Sequence, residues 1–253
     1  LNIEAYLRRI NYTGRLSPDI ETLRGLHQAH LMTVPFENLD IHLGRPINLD
    51  PDALFLKIVE NRRGGFCYEL NNLFARLLEH IGFKVTLLSA RVYDADDRLG
   101  PEYDHMALLV TLKDRWLADV GFGDSSLFPL RLDDDQPQYD NRRAYRVSRE
   151  DAFWYESRAI EDGAWKRDYV FTLQARRIAE YLETCNYHQT SPDSPFTQRQ
   201  ICTIATPTGR ITLRGLPTEM KVIVTKHGVK RERVIADPAQ VSALLLDQFG
   251  IAV

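Results

Sequence analysis

Cys67 stands directly behind a glycine pair in the stretch NRRGGFCYELNNLFARLLEHIGF (61–83), where Cys67, Leu70, Phe74, Leu77, Leu78 and Ile81 fall three and four residues apart. That spacing predicts a helix with the cysteine in its first turn, Gly64 and Gly65 breaking regular structure ahead of it and Gly82 stopping it. The unpaired N–H groups of a first turn carry partial positive charge and favour a thiolate over a thiol. A cysteine on an apolar stripe is equally the mark of ordinary packing, since free cysteine is among the most buried residue types. This stretch alone leaves both readings open.

Cysteine chemistry needs a base within hydrogen-bond reach and a third group to orient that base. The chain has seven histidines. His27, His30, His42, His80, His188 and His227 fall on helix faces, in loops or near turns and read as surface or capping residues. His105 differs, because it opens the run HMALLVTL, and the next run, LADVGFG, holds Asp119 among apolar residues. A carboxylate there costs free energy unless paired, and an imidazole on the adjoining strand is a suitable partner. The alternative is that Asp119 caps the turn at Gly121 and Gly123. A two-residue turn at Lys113-Asp114 would set Leu108 opposite Asp119 and send His105 and Asp119 to opposite faces. The pairing therefore requires an odd-length loop, a bulge or a strong twist. With that met, Cys67, His105 and Asp119 form a nucleophile, base and orienter, recognised by role rather than by order.

Competing motifs fall away. GFGDSS (121–126) lacks the third glycine of a dinucleotide fingerprint, and the chain has no GxxxxGK[ST], HExxH or GxSxG. Ser125 as an esterase nucleophile would want a downstream DxxH, which does not occur.

Helices must precede the cysteine and strands must follow it. Ser17-Pro18-Asp19 reads as a cap with proline at the first helical position, and Asp50-Pro51-Asp52 repeats the signal ahead of Leu54, Phe55, Ile58 and Val59. From Phe83 the pattern turns to short runs rich in branched and aromatic residues: FKVTLLSARVY, HMALLVTL, RWLADVGF, AFWYESRAI and WKRDYVFTL, the last two flanking Glu161-Asp162-Gly163. These predict an antiparallel sheet or barrel. Residues 176–184 read as helix and 191–196 as a loop. RITLRGL, MKVIVTK and VKRERVI read as strands, and Asp237-Pro238 caps a last helix.

The 253 residues suffice for one large domain or two to three small ones sharing a core. A net charge of -3, with arginine pairs interleaved with acids, argues against nucleic acid as a main partner. The opening LNIEAYLRRI has helical spacing rather than the apolar core of a signal peptide, and no run reaches membrane-spanning length. Read as a complete N-terminus, this predicts a cytoplasmic protein with no membrane partner. Three widely spaced cysteines, Cys67, Cys185 and Cys202, argue against a disulfide framework and against a zinc site, so no metal is expected.

Five blocks together, VPFENLDIHLGRPINLD (34–50), NRRGGFCYELN (61–71), DHMALLV (104–110), DVGFG (119–123) and YHQTSPDSPFT (187–197), resemble in order and spacing the arylamine N-acetyltransferases. The likeness runs from about residue 5 to 205 and is loose beyond. It implies an α+β fold: a helical bundle (1–83), a central antiparallel β-barrel (84–185) and a C-terminal α/β lid (186–253), around a papain- or transglutaminase-like Cys-His-Asp core. It implies acetyl-CoA as acyl donor and arylamines or hydrazines as acceptors, with ping-pong transfer through Cys67, His105 as base and Asp119 as its orienter. Carried across on the same blocks, Phe36, Tyr68 and Phe122 are expected around a flat acceptor, and Gly123, Tyr187, Thr190 and Ser191 beside coenzyme A. Arg63 and Glu37 are expected to brace the cysteine loop. Asp104 departs from the family, which usually carries an uncharged residue there; as a strand neighbour of His105 it is expected to face away, with little effect. The same triad also serves an acyl-thioester hydrolase or an intramolecular amide synthase, and the fold alone a non-catalytic binding protein.

Overall fold

The computed structural model describes residues 1–140, 142–160, 163–216 and 218–252. The N-terminal part holds α1 (Ile3–Arg9), α2 (Ile20–Leu31), the two-residue strand β1 (Phe36–Glu37), α3 (Leu39–His42), α4 (Pro51–Phe55), which runs on as a π-helical turn (Leu56–Glu60), and α5 (Cys67–Ile81). Its strands follow as β2 (Lys84–Val92), β3 (His105–Thr111), β4 (Arg115–Ala118), β5 (Leu130–Arg131), β6 (Gln138–Tyr139), β7 (Ala144–Glu150), β8 (Phe153–Ala159) and β9 (Trp165–Phe171). A 3-10 turn (Ile178–Tyr181) leads into α6 (Leu182–Thr190), α7 (Pro195–Gln198), β10 (Gln200–Thr206), β11 (Gly209–Leu216), β12 (Glu219–Lys226), β13 (Val229–Ile235) and α8 (Pro238–Phe249). The class is α+β.

Local chemistry explains the boundaries. Asp50 accepts from the Asp52 and Ala53 N–H groups ahead of Pro51, and Asp237 from Ala239 ahead of Pro238. The cap expected at Ser17 moves to Asp19, whose carboxylate takes the Thr22 N–H at 2.9 Å while Ser17 Oγ donates to it. Helix α6 continues to Thr190, so Tyr187 and Thr190 are helical rather than part of a loop, and the division expected at 185 falls inside it. The turn at Glu161-Asp162 lies outside the described residues.

Strands β2 to β9 form one eight-stranded antiparallel sheet in the order β5-β4-β3-β2-β9-β8-β7-β6. It curls into a nearly closed barrel. The Gln138 side chain spans its two edges, accepting from Arg131 N–H at 2.7 Å and donating to Arg131 O at 2.9 Å. Strand β3 is buried on both faces: Met106, Leu108 and Val110 join the core under α5, and Ala107 and Leu109 join the barrel interior. The second sheet, β1-β10-β11-β12-β13, makes the lid with α8, and its edge strand β1 comes from the N-terminal part.

Candidate active site

Cys67 opens α5 as its first helical residue and is 3% exposed. The glycines before it let two segments run in contact: Glu37 N–H donates to Gly65 O, and a Cβ on Gly64 would overlap the Pro35 carbonyl oxygen. Arg63 and Glu37 form a buried ion pair at 2.8 Å. Arg63 also reaches Asp40 at 3.0 Å, and Lys57 bridges Asp40 (2.7 Å) and Glu69 (2.6 Å). Glu69 in turn accepts the Phe66 N–H at 3.1 Å, which satisfies one free donor of the helix start. The loop that leads into the cysteine is thus held by charges on both sides.

The loop between β3 and β4 has three residues, Leu112 to Asp114, so Thr111 pairs with Arg115 and Leu108 with Ala118. That odd count puts His105 and Asp119 on the same face. His105 Nε2 lies 2.7 Å from Asp119 Oδ2, both side chains being almost fully buried. Asp119 Oδ1 accepts from Asn71 Nδ2 and from Gly121 N–H, each at 2.9 Å. Burial would raise its carboxyl, but the His105 charge and these hydrogen bonds hold it below the usual carboxylate range. The Phe122 and Tyr169 rings pack against the imidazole at centroid distances of 5.3 and 5.1 Å.

Cys67 and His105 open onto one cavity of about 520 Å³. Burial pushes the Cys67 thiol well above its ordinary range, and hydrogen bonding from the Met106 backbone offsets this only in part. An anionic sulfur requires a protonated partner, so charge separation is tied to one proton shared with an imidazole.

Phe36, Phe122 and Tyr187 line the cavity. Tyr68 does not: its ring is fully buried behind the wall and its hydroxyl donates to Tyr103 O at 2.7 Å. Gly123, at φ +89°, lies behind the Phe36 ring and outside the lining. Thr190 and Ser191 are also outside it, because Thr190 Oγ1 donates to Asn186 O and Ser191 Oγ accepts the Asp193 N–H. Asp104 is in the lining, contrary to the expectation that it faces away. Strand β3 begins only at His105, and Tyr103 takes φ +63°, so strict alternation does not reach Asp104.

His27, His30 and His188 are buried rather than surface residues. His27 Nε2 accepts the Asp119 N–H at 3.0 Å, and Asn71 joins α5 to both Asp119 and the Met106 carbonyl. One signal for Asn71 is in the sequence: it lies four residues beyond Cys67, on the same helix face.

A family model described as N-acetyltransferase matches residues 19–253. A pineal gland arylamine N-acetyltransferase of Gallus gallus is 34% identical over 278 residues, covering 99% of this chain and 94% of that protein. The solved arylamine N-acetyltransferase of Mycobacterium smegmatis has a TM-score of 0.90 at 34% identity, covering 99% of this chain and 92% of that one. The Mycobacterium marinum enzyme in complex with CoA has a TM-score of 0.89 at 29% identity, covering 99% and 93%. With a family model over residues 19–253 and relatives about a third identical along almost the whole chain, the protein belongs to the arylamine N-acetyltransferase family of acetyltransferase enzymes.

Proposed function

We propose that the protein transfers an acetyl group from acetyl-CoA to the nitrogen of aromatic amines or hydrazines by a ping-pong route through an acetyl-cysteine at Cys67. The observation that carries this reading is a buried cysteine and the Asp119-bound His105 opening onto one cavity. The complex of the Mycobacterium marinum relative with CoA supports the donor, and the aromatic walls at Phe36 and Phe122 suit a flat acceptor.

Because Nε2 of His105 is turned to Asp119, Nδ1 is the nitrogen left to take the Cys67 proton. As Sγ attacks the thioester carbonyl, the proton passes to His105 and then to the departing sulfur of coenzyme A. The acceptor nitrogen next attacks the acetyl-cysteine carbonyl, His105 takes a proton from the amine, and the proton returns to Sγ as the amide leaves. Asp119 fixes the ring orientation and stabilises the imidazolium that forms in each half.

Intact-protein mass spectrometry after brief mixing with acetyl-CoA, without acceptor, tests this. The wild type should gain one acetyl mass and Cys67→Ala none. Acetyl transfer retained in Cys67→Ala would overturn the reading. Adduct that decays as fast without amine as with it would make the protein a hydrolase.

A further inference from the structure

The cavity holds a second acid–imidazole pair apart from His105 and Asp119. Asp104 Oδ1 lies 3.2 Å from His188 Nε2, an ion-pair distance, with the Asp104 side chain 18% exposed and the His188 side chain 4%. Both residues line the wall that Cys67 and His105 also line. His188 is held from behind by Ser194 Oγ, 3.2 Å from its Nδ1, and by the Phe196 ring at a centroid distance of 5.1 Å. Asp104 is close enough to Cys67 that its charge acts on the thiol.

The other charges of the lining are Asp94 and Arg98. Arg98 is three-quarters exposed and already paired with Asp94 (2.8 Å) and Asp96 (3.0 Å), so it adds little positive field inside. The inner wall therefore presents a carboxylate with one imidazole behind it. On the donor side the pantetheine arm of coenzyme A bears no ionised group, so this carboxylate has no opposite charge to hold there. The acceptor is the substrate whose charge varies.

We propose that Asp104, beside His188, sets acceptor specificity: it favours aromatic amines with a cationic or hydrogen-bond-donating substituent and disfavours those bearing a carboxylate. This rests on the acetyl-transfer reading above. Discrimination comes both from attraction and from the cost of bringing a second carboxylate beside one already facing the cavity.

The test uses three amines that share one ring and differ in charge: 4-aminobenzamidine, 4-aminobenzamide and 4-aminobenzoate. Acetylation rates with acetyl-CoA give kcat/KM for each on the wild type, Asp104→Asn and His188→Gln. Comparing ratios between proteins cancels the intrinsic reactivity of each amine. The amidine-to-benzoate ratio should fall about tenfold or more in Asp104→Asn, chiefly through a lower KM for the benzoate. In His188→Gln it should hold or rise, because the carboxylate keeps its charge and loses its imidazole neighbour. A structural role alone would move both variants the same way, and that result, or an unmoved ratio in Asp104→Asn, overturns the proposal. Acetylation of Cys67 in the wild type without amine is scored separately. Its failure would overturn the acetyl-transfer reading itself and this proposal with it, whereas normal loading with an unmoved ratio overturns the selectivity alone.

Discussion

His27 links acid stability to the geometry around Asp119. Its Nδ1 donates to Leu127 O at 3.1 Å and its Nε2 accepts from Asp119 N–H at 3.0 Å, which assigns a neutral ring with the proton on Nδ1. A second proton would point at the Asp119 N–H. Burial lowers the ring's pKa from 6.5 to about 4, against opposing hydrogen bonds and the Asp119 charge. Since the folded value is depressed, the unfolded chain takes up the proton first as pH falls. Stability is full above pH 6.5 and is lost down to about pH 4, by roughly 3 kcal/mol. Urea unfolding at a series of pH values should show this slope, and His27→Gln should reduce it by one proton. An unchanged slope would assign the acid limb to other groups, His30 foremost, which burial also lowers well below its ordinary value. Cys67, His105 and Asp119 are nameable from sequence because each is a reactive or misplaced residue type in its own segment. His27 and Asn71 are not, because their roles exist only through contacts 92 and 48 residues away along the chain.

Between the residue and the fold stand the turns that aim the elements. The β3–β4 hairpin shows how little sequence fixes a register: Lys113-Asp114 and Leu112-Lys113-Asp114 are both acceptable loops. Leu112 decides between them by leaving the ladder to pack against the core under α5, its N–H going to Asp114 O at 2.9 Å. That choice depends on what covers the strand, so the hydrophobic pattern of the hairpin alone does not contain it. The turn before α5 is different, because its glycines mark a close approach in the sequence itself. Gly64→Ala would drive a Cβ into the Pro35 carbonyl oxygen and to 2.8 Å from Glu37 Cγ, neither of which is free to yield. Overpacking of this kind costs about 1–3 kcal/mol. Because the displaced loop carries Arg63 at one end and leads into Cys67 at the other, acetyl loading of the cysteine should fall further than stability does. Thermal unfolding and intact mass on the same sample would separate the two, and normal loading at a lowered Tm would show that the loop tolerates the shift.

At the scale of the whole molecule, the lid must stay seated on the barrel, because α7 and β10 supply part of the cavity wall through Pro195, Phe196 and Ile201. Asn38 ties it to the N-terminal part, donating to Phe196 O and Arg199 O and accepting the Ile201 N–H, each at 2.8 Å, and two further fastenings stand beside it. One is β1, which pairs with β10 at Phe36–Thr203 and Glu37–Cys202 while Glu37 binds the cysteine loop. Strand β1 escapes sequence reading because two residues carry no periodicity. Strand β10 escapes it because QICTIAT follows a turn without the bounding glycines of its neighbours. The other fastening is Asp124, inside the GDSS segment that superficially suggests a nucleophile. Its carboxylate meets Arg210 of the lid at 3.0 Å and Arg143 of the barrel at 3.1 Å, with Arg142 and Arg158 each at 3.9 Å. Burial would raise the carboxyl, but these four arginines hold it below the usual carboxylate range. Its side chain is 32% exposed, which moderates the effect through solvent screening, yet Arg210 at 11% is nearly buried and has few other partners. Asp124→Asn keeps the shape and removes the charge, leaving Arg210 with Thr203 Oγ1 at 2.9 Å as its other firm contact. Breaking one side of a buried pair costs about 3–5 kcal/mol, and partial exposure places this case at the lower end, roughly 3 kcal/mol. For a chain of this size that is a fall of about 6–12 °C in Tm. Because the loss is electrostatic, the gap between wild type and variant should narrow in high salt. Equal Tm values at low salt would mean that β1, Asn38 and the apolar lid core keep the lid in place without it, and that Asp124 only neutralises charge that water would otherwise solvate.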